Sequence, residues 1–274
     1  MAPQKSLLHP AIATGIVINV FILLLAVANR GDSTALWHLL IEDGIVEWMQ
    51  FLCFTVIAML LGFAFFERLK RADRRIDRNL LELLALGGLS LLCALAALEE
   101  ISWFQRILNV QSSEYFLQNN RQGETNIHNL AVGSGSLHKN VLLKLIAIAG
   151  LTHNLILPLV ARFKPGVRTW VEKLGLYLPP LSASVIYLVL VALSHALIEH
   201  PRKGELGEMF GAVHYMATVF AAYFAGVQYT RPTLFENPAD IRRLSALFAS
   251  WMVFLVLVAW LLSAGAGAGA PPAV

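Results

Sequence analysis

Polar and apolar positions alternate in long blocks along this chain, not residue by residue. Seven apolar runs stand out: Ala11–Asn29, Val46–Phe66, Leu80–Leu98, Asn140–Ala161, Leu178–Leu197, Met209–Tyr229 and Ala246–Leu262. A helix needs roughly 20 apolar residues to cross a bilayer core. The pattern therefore predicts an all-α, polytopic membrane protein. Its seven transmembrane helices form one bundle and a single domain over 1–274, with no internal repeat. Five of the connecting stretches are short. The exception is Glu99–Lys139, about forty residues, and loops beyond about 15 residues are usually functional or disordered. Within it, Ser112-Ser113 before Glu114 predicts a helix start. Val110–Asn120 would form a short interfacial helix with Tyr115, Phe116 and Leu117 towards lipid. Asn119–Gly123 reads as a turn, and Leu130–Gly133 as a hydrophobic re-entry. The Gly-, Ala- and Pro-rich stretch Ala264–Val274 reads as a flexible end.

Composition agrees. The chain is 57% hydrophobic and 14% charged, with mean hydropathy +0.63, whereas a soluble domain carries roughly 25% charged residues. The formal charge of +3 is no nucleic-acid signal, because the basic residues lie between apolar runs. Fourteen of the 21 Lys and Arg fall on one side: Lys5, six in Glu67–Asn79, four in Arg162–Tyr177 and three in Thr230–Ser245. The positive-inside rule makes that side cytoplasmic, with the N-terminus inside and the C-terminus outside. The first run follows Met1–Pro10 and lacks an A-x-A cleavage pattern, so it reads as a retained span. Cys53 and Cys93 both fall inside runs and read as buried small side chains, not a disulfide framework.

Eleven of the 18 acids and six of the eight histidines (His38, His128, His138, His195, His200, His214) fall on the outer side. Outer segments poor in Lys and Arg accumulate acids anyway, but several of these acids lie at helix ends. Residues three, four and seven apart share a helix face. On that basis Asp43, Glu47 and Gln50 form one face, Glu99, Ser102 and Arg106 a second, His195 and Glu199 a third, and Glu205 and Glu208 a fourth. If the faces meet, they make an acidic, histidine-containing cup.

Candidate roles follow from side-chain chemistry. Glu99, Glu100 and Glu47 are candidate catalytic carboxylates, and Arg106 would hold an anionic head group. Ser102, Gln105, Glu124, Asn126 and Asn129 would bind substrate. A catalytic zinc takes about three His or carboxylate ligands and keeps an open position. His195 and Glu199 would supply two and His128 the third, with His200 or Glu100 as substitutes. Without a metal, the same residues make a carboxylate–arginine network, Glu100 with Arg106 and Glu199 with Arg202 or Lys203. His153-Asn154, near Pro158, reads as an interhelical hydrogen bond in mid-membrane, or as the inward continuation of a proton path. No P-loop, G-x-G-x-x-G or G-x-S-x-G elbow is present.

Glu99–Arg106 (EEISWFQR), Gln122–Asn129 (QGETNIHN) and Glu42-Asp43-Gly44 with Glu47-Trp48 together resemble an uncharacterised family of bacterial multi-span membrane proteins. That resemblance implies a bacterial inner membrane and no particular activity. Seven spans with acids and histidines at one mouth are also loosely similar to the alkaline ceramidase and CREST group of metal-dependent hydrolases. Those use a Ser-x3-His element and an H-x3-H pair. Here Arg106 stands four residues after Ser102, and the pair is His195-x3-Glu199. The leading expectation is a membrane-embedded hydrolase acting on a lipid or amphiphile at the outer face, with zinc as candidate cofactor. The alternatives are a proton-coupled transporter or lipid-handling protein, and a non-catalytic subunit of a membrane complex.

Overall fold

The structure, a computed structural model, describes residues 6–71, 80–137 and 141–264. His138, Lys139, most of the arginine-rich stretch after Arg71 and the Gly/Ala-rich end after Ala264 lie outside the described residues. The chain is all-α, about 75% helical. In order come α1 (Pro10–Ala28), α2 (Ser33–Leu40), α3 (Ile45–Arg71), α4 (Leu80–Glu100), α5 (Gln105–Leu108) and α6 (Glu114–Asn119). A two-residue hairpin follows, β1 (Ala131–Val132) paired antiparallel with β2 (Gly135–Ser136). Then come α7 (Leu143–Leu151), a π-helical turn Thr152–Ile156, α8 (Leu157–Phe163), α9 (Pro165–Lys173), α10 (Leu181–Leu197), α11 (Gly204–Tyr223) and α12 (Pro238–Ser263).

Five stretches are long and apolar enough to cross a membrane: Pro10–Ala28, Ser33–Lys70, Leu80–Glu100, Lys144–Phe163 and Pro238–Ser263. The other two predicted runs behave differently. Leu178–Leu197 becomes a helix of 17 residues, because Pro179-Pro180 delay its start to Leu181. Met209–Tyr229 shifts: α11 begins at Gly204 and ends at Tyr223, and Gly226, at φ +72, turns the chain back. α11 is buried on every face from Met209 to Tyr223 and packs on α1, α3 and α10. It is the axis of the bundle. Other boundaries move as well. α12 starts at Pro238 behind an Asn237 cap, so Arg242 and Arg243 lie on a helix and not in a loop. α2 was not predicted; its start is set by Asp32, which accepts from the amides of Thr34 and Ala35, both at 3.0 Å. The interfacial helix is shorter than predicted, Glu114–Asn119, and Ser113 makes no capping bond. Within Leu130–Gly133, Ala131 and Val132 form the exposed first strand of the hairpin.

The end opposite the long loop is closed by two buried carboxylates. Glu82 is 2% exposed and meets Arg231 at 2.7 Å, with Arg68 Nε 3.3 Å from its other oxygen. Glu172 accepts from the amide and hydroxyl of Thr230 and lies 3.8 Å from Arg168. The chain between α9 and α10 presses onto the start of α4 at Gly175. That residue has φ +79, and a Cβ there would lie 2.7 Å from Glu82 Cα. Gly175→Ala therefore meets both a left-handed backbone and a backbone clash. It is expected to cost about 1–3 kcal/mol, read as a lower thermal midpoint in detergent.

Candidate functional site

The described part of the long loop folds into a cap against the ends of α3 and α4, and the EEISWFQR and QGETNIHN segments interlock within it. Glu99, on the last turn of α4, is the hub. One oxygen accepts the Trp103 indole N–H at 2.7 Å. The other accepts the amides of Ile127 at 2.7 Å and His128 at 3.0 Å, and lies 3.3 Å from His128 Nδ1. Four donors around an acceptor-only group hold it as a carboxylate. The same contacts orient the imidazole: Nδ1 faces Glu99, and Nε2 lies 3.0 Å from Asn129 Nδ2.

A break in the helix makes this possible. α4 ends at Glu100, and Ser102, Trp103 and Phe104 take φ of 47°, 56° and 63°. Left-handed backbone costs roughly 1–2 kcal/mol per residue, and such strain clusters at functional sites. The turn swings Trp103 back to Glu99 and seats Phe104 edge-on against Phe51 of α3. It also overturns the predicted Glu99–Ser102–Arg106 helix face. Ser102 turns inward instead. Completely buried, it donates to Glu124 and accepts from Asn126 Nδ2 at 2.9 Å. Asn126 is fixed in turn by Asn120 Nδ2 at 2.9 Å. Gln105 spans the cap, accepting the Thr125 amide at 2.6 Å and donating to Ser112 Oγ at 2.6 Å. Of the predicted substrate-binding residues, Ser102, Glu124, Asn126 and Asn129 are thus bonded to one another, and Gln105 joins them through Thr125. The side chain of Arg106 lies outside the described residues.

A second knot joins the cap to the bundle. Glu42, in the turn between α2 and α3, accepts from Gln122 Nε2 of the cap and pairs with Arg202, at 2.6 Å, from the turn between α10 and α11. Arg202 and Lys203 were the predicted partners of Glu199. Arg202 goes to Glu42, and Lys203 donates to the His195 carbonyl at 3.0 Å. Asp43, Glu47, Glu100, Glu205 and Glu208 are all half-buried at this end. Glu47 reaches back to the Asp43 amide, and Gln50 bonds the Glu205 carbonyl at 3.1 Å. Asp32, Glu114 and Glu199, also among the predicted outer acids, are exposed.

The metal set does not convene. α10 ends at Leu197 and Ile198 is extended, so His195 and Glu199 do not share a helical face, and both are exposed. His128 is engaged by Glu99. His200 accepts its own neighbour's amide, Arg202 N, at 3.2 Å and packs on Trp37. Burial, then the Arg202 charge, lower its basicity. Among the described residues no three His, Cys, Asp or Glu side chains are grouped to hold a metal. The His128, His195 and Glu199 arrangement does not fit zinc.

His214, counted from sequence with the outer histidines, lies ten residues into α11 and is buried. It joins the predicted His153-Asn154 pair. Asn154 is fully buried; its Oδ1 lies 2.9 Å from His214 Nε2, and its Nδ2 donates to Tyr215 Oη at 2.6 Å. Ser184 Oγ adds a longer bond to Asn154 Oδ1, at 3.3 Å. His153 Nε2 meets the Tyr177 carbonyl at 2.8 Å, and Tyr177 Oη meets Thr218 Oγ1 at 2.8 Å. This part of the chain is π-helical because Pro158 has no N–H to return to the Asn154 carbonyl, and the ladder widens around the gap.

Sequence reasoning missed Trp103, Asn120, Gln122, Ser112, Thr125, Glu42 and Arg202 as parts of the cap. Trp103, Gln122, Thr125 and Glu42 stood in the motifs named above, so a signal for each residue was present, though not for its partner. The Glu42–Gln122–Arg202 knot joins residues 80 and 160 positions apart and had no local signal. No protein-family model matches the chain, and no curated protein or solved structure matches it either.

Proposed function

We propose that the protein is a seven-span membrane hydrolase that cleaves an amphiphile at the extracytoplasmic face, without zinc held by His128, His195 and Glu199. The observation that carries the reading is the Glu99–His128 contact. A carboxylate facing Nδ1 fixes the tautomer that leaves Nε2 as the basic nitrogen. In the proposed step Nε2 takes a proton from water, exchanging its Asn129 contact for that water. The water oxygen bonds to the acyl or phosphoryl centre, the bond to the leaving group breaks, and the imidazolium returns the proton to that group. Such general acid–base catalysis is worth about 10²–10⁴-fold. The buried Ser102 positions Asn126 and Glu124 and is not the nucleophile.

Seven spans are supported beyond the five long apolar stretches. Seventeen residues in α10 reach the lower limit of about 17 for a span. α11 is shielded by its neighbours, so it needs no lipid-like composition. The cap end carries the half-buried acids, while Arg68, Arg162, Arg168, Arg231, Arg242 and Arg243 gather at the other end, which is the cytoplasmic one. The resemblance of the motifs supports a bacterial inner membrane. Proton-coupled transport is a second reading, favoured by one observation, the buried chain from His214 through Asn154 to Tyr215. An ionisable group at that depth usually has a task.

Purified protein in nanodiscs is to be tested against diacyl phospholipids and acylated amphiphiles, with release of fatty acid or head group as the readout. His128→Ala is expected to lower turnover at least about 10²-fold with an unchanged thermal midpoint. Equal turnover in His128→Ala, or none in the wild type, sinks the hydrolase reading. Amphiphile-independent proton flux in liposomes, lost in His214→Leu, would establish transport in its place.

A further inference from the structure

α7 is bare on all sides. Six consecutive residues, Lys144–Ala149, are exposed. At about 100° per residue they turn through more than a full circle, so no face of the helix is packed. Leu145, Ile146, Ile148 and Leu151 are 57%, 55%, 66% and 46% exposed. The side towards the bundle is included. Gly150 stands one turn before Asn154, whose buried side chain bonds the Gly150 carbonyl at 3.0 Å and joins Tyr215 and His214. Residues four apart share a face, so Gly150 points the same way, yet a Cβ there would meet nothing within 4 Å. Docking resumes only at the π-turn, which packs on α10. The bare stretch rises about 9 Å, more than half of one leaflet of a hydrocarbon core about 30 Å thick.

We infer that acyl chains of the cap-side leaflet fill the space between α7 and the bundle, opening a lateral path for a phospholipid to the underside of the cap. A partner helix or a second copy would cover one face; only a fluid covers every face. Lipid tails are as apolar as leucine, so nothing drives α7 to close onto the bundle. Lys144, exposed one turn from the cap end, can extend its ammonium to a lipid phosphate at the interface. The inference rests on the membrane reading above and supplies the proposed hydrolase with its substrate class.

The test is a spin-label scan of the full chain in phospholipid nanodiscs. Leu145→Cys, Ile146→Cys, Ala147→Cys, Ile148→Cys and Ala149→Cys are made in a Cys53→Ala, Cys93→Ala background. Oxygen reports lipid, and a water-soluble nickel chelate reports water. High oxygen and low nickel access at all five positions is expected, with no dip of period 3.6. The same scan over 18–24 of α1, where buried and bare residues alternate, supplies the periodic reference. A several-fold oxygen dip on one face of α7 would mean a protein surface covers it, and high nickel access would mean an aqueous cavity; either overturns the inference. Gly150→Leu needs no label and tests the same space: an unchanged thermal midpoint supports an open gap, and a large drop contradicts it. The two readings fail separately. If the scan shows lipid but no amphiphile is cleaved, the path stands and the hydrolase falls. If long-chain substrate is cleaved and Gly150→Leu leaves its KM unchanged while the scan shows a dip, the path falls and the hydrolase stands. A roughly tenfold rise in KM for long-chain substrate alone, with a short-chain soluble analogue unaffected, is the expected result.

Discussion

Glu99→Gln is expected to cut turnover about 10²–10⁴-fold and to loosen the cap at the same time. The carboxylate receives four donors: the Trp103 indole, the amides of Ile127 and His128, and the His128 ring. Glutamine keeps the shape but has one acceptor oxygen, and its amide turns two N–H donors towards groups that are donors themselves. Each donor left without an acceptor costs about 1–3 kcal/mol where it is buried, and the His128 ring loses the group that fixes its tautomer. Two measurements check this. Hydrogen exchange at Ile127 and His128 should rise from protected to loop-like, and the turnover of the amphiphile should collapse. Trp103→Phe removes a single donor and spares the imidazole contact, so it should weaken protection with much less effect on turnover. If Glu99→Gln exchanged and turned over like wild type, the Glu99 hub would have no role in either.

Glu82→Gln acts at the other end, through stability. Glu82 is 2% exposed between Arg68 and Arg231, whose side chains are 11% and 28% exposed. Removing its charge leaves two guanidiniums facing a neutral amide. Breaking a buried ion pair by removing one partner typically costs about 3–5 kcal/mol. The expected result is a large fall in thermal midpoint with the cap's exchange protection intact until unfolding. Glu67→Gln is the control, because its partner Lys70 is 73% exposed and surface pairs are worth about 0–1 kcal/mol. Similar midpoints for the two variants would show that the Glu82 cluster holds nothing together.

Much of the architecture was legible in the chain. Apolar runs set by burial in lipid read out as helices, since a span must satisfy its backbone bonds internally. The His153-Asn154 pair beside Pro158 was legible because a polar pair in an apolar run needs a partner helix. The turn at Asn119–Gly123 was legible from its residue types, and Gly123 indeed sits at φ +69. Helix periodicity failed where the helix itself ended. The Glu99–Ser102–Arg106 face dissolved in the left-handed turn at Ser102–Phe104, and the His195–Glu199 face dissolved one residue after Leu197. His214 was misplaced because the sixth run was read to start at Met209, whereas α11 starts at Gly204.

The sequence by itself determined the helical, apolar class of the protein and the two motifs that make the cap. These follow from composition and local spacing, which act within a few residues. Tertiary structure alone decided that Glu99 belongs to His128, that Glu42 joins Gln122 and Arg202, and that α7 stands apart from the bundle. Each depends on how far one helix end lies from another, and that distance is set by packing around α11, which no local pattern encodes.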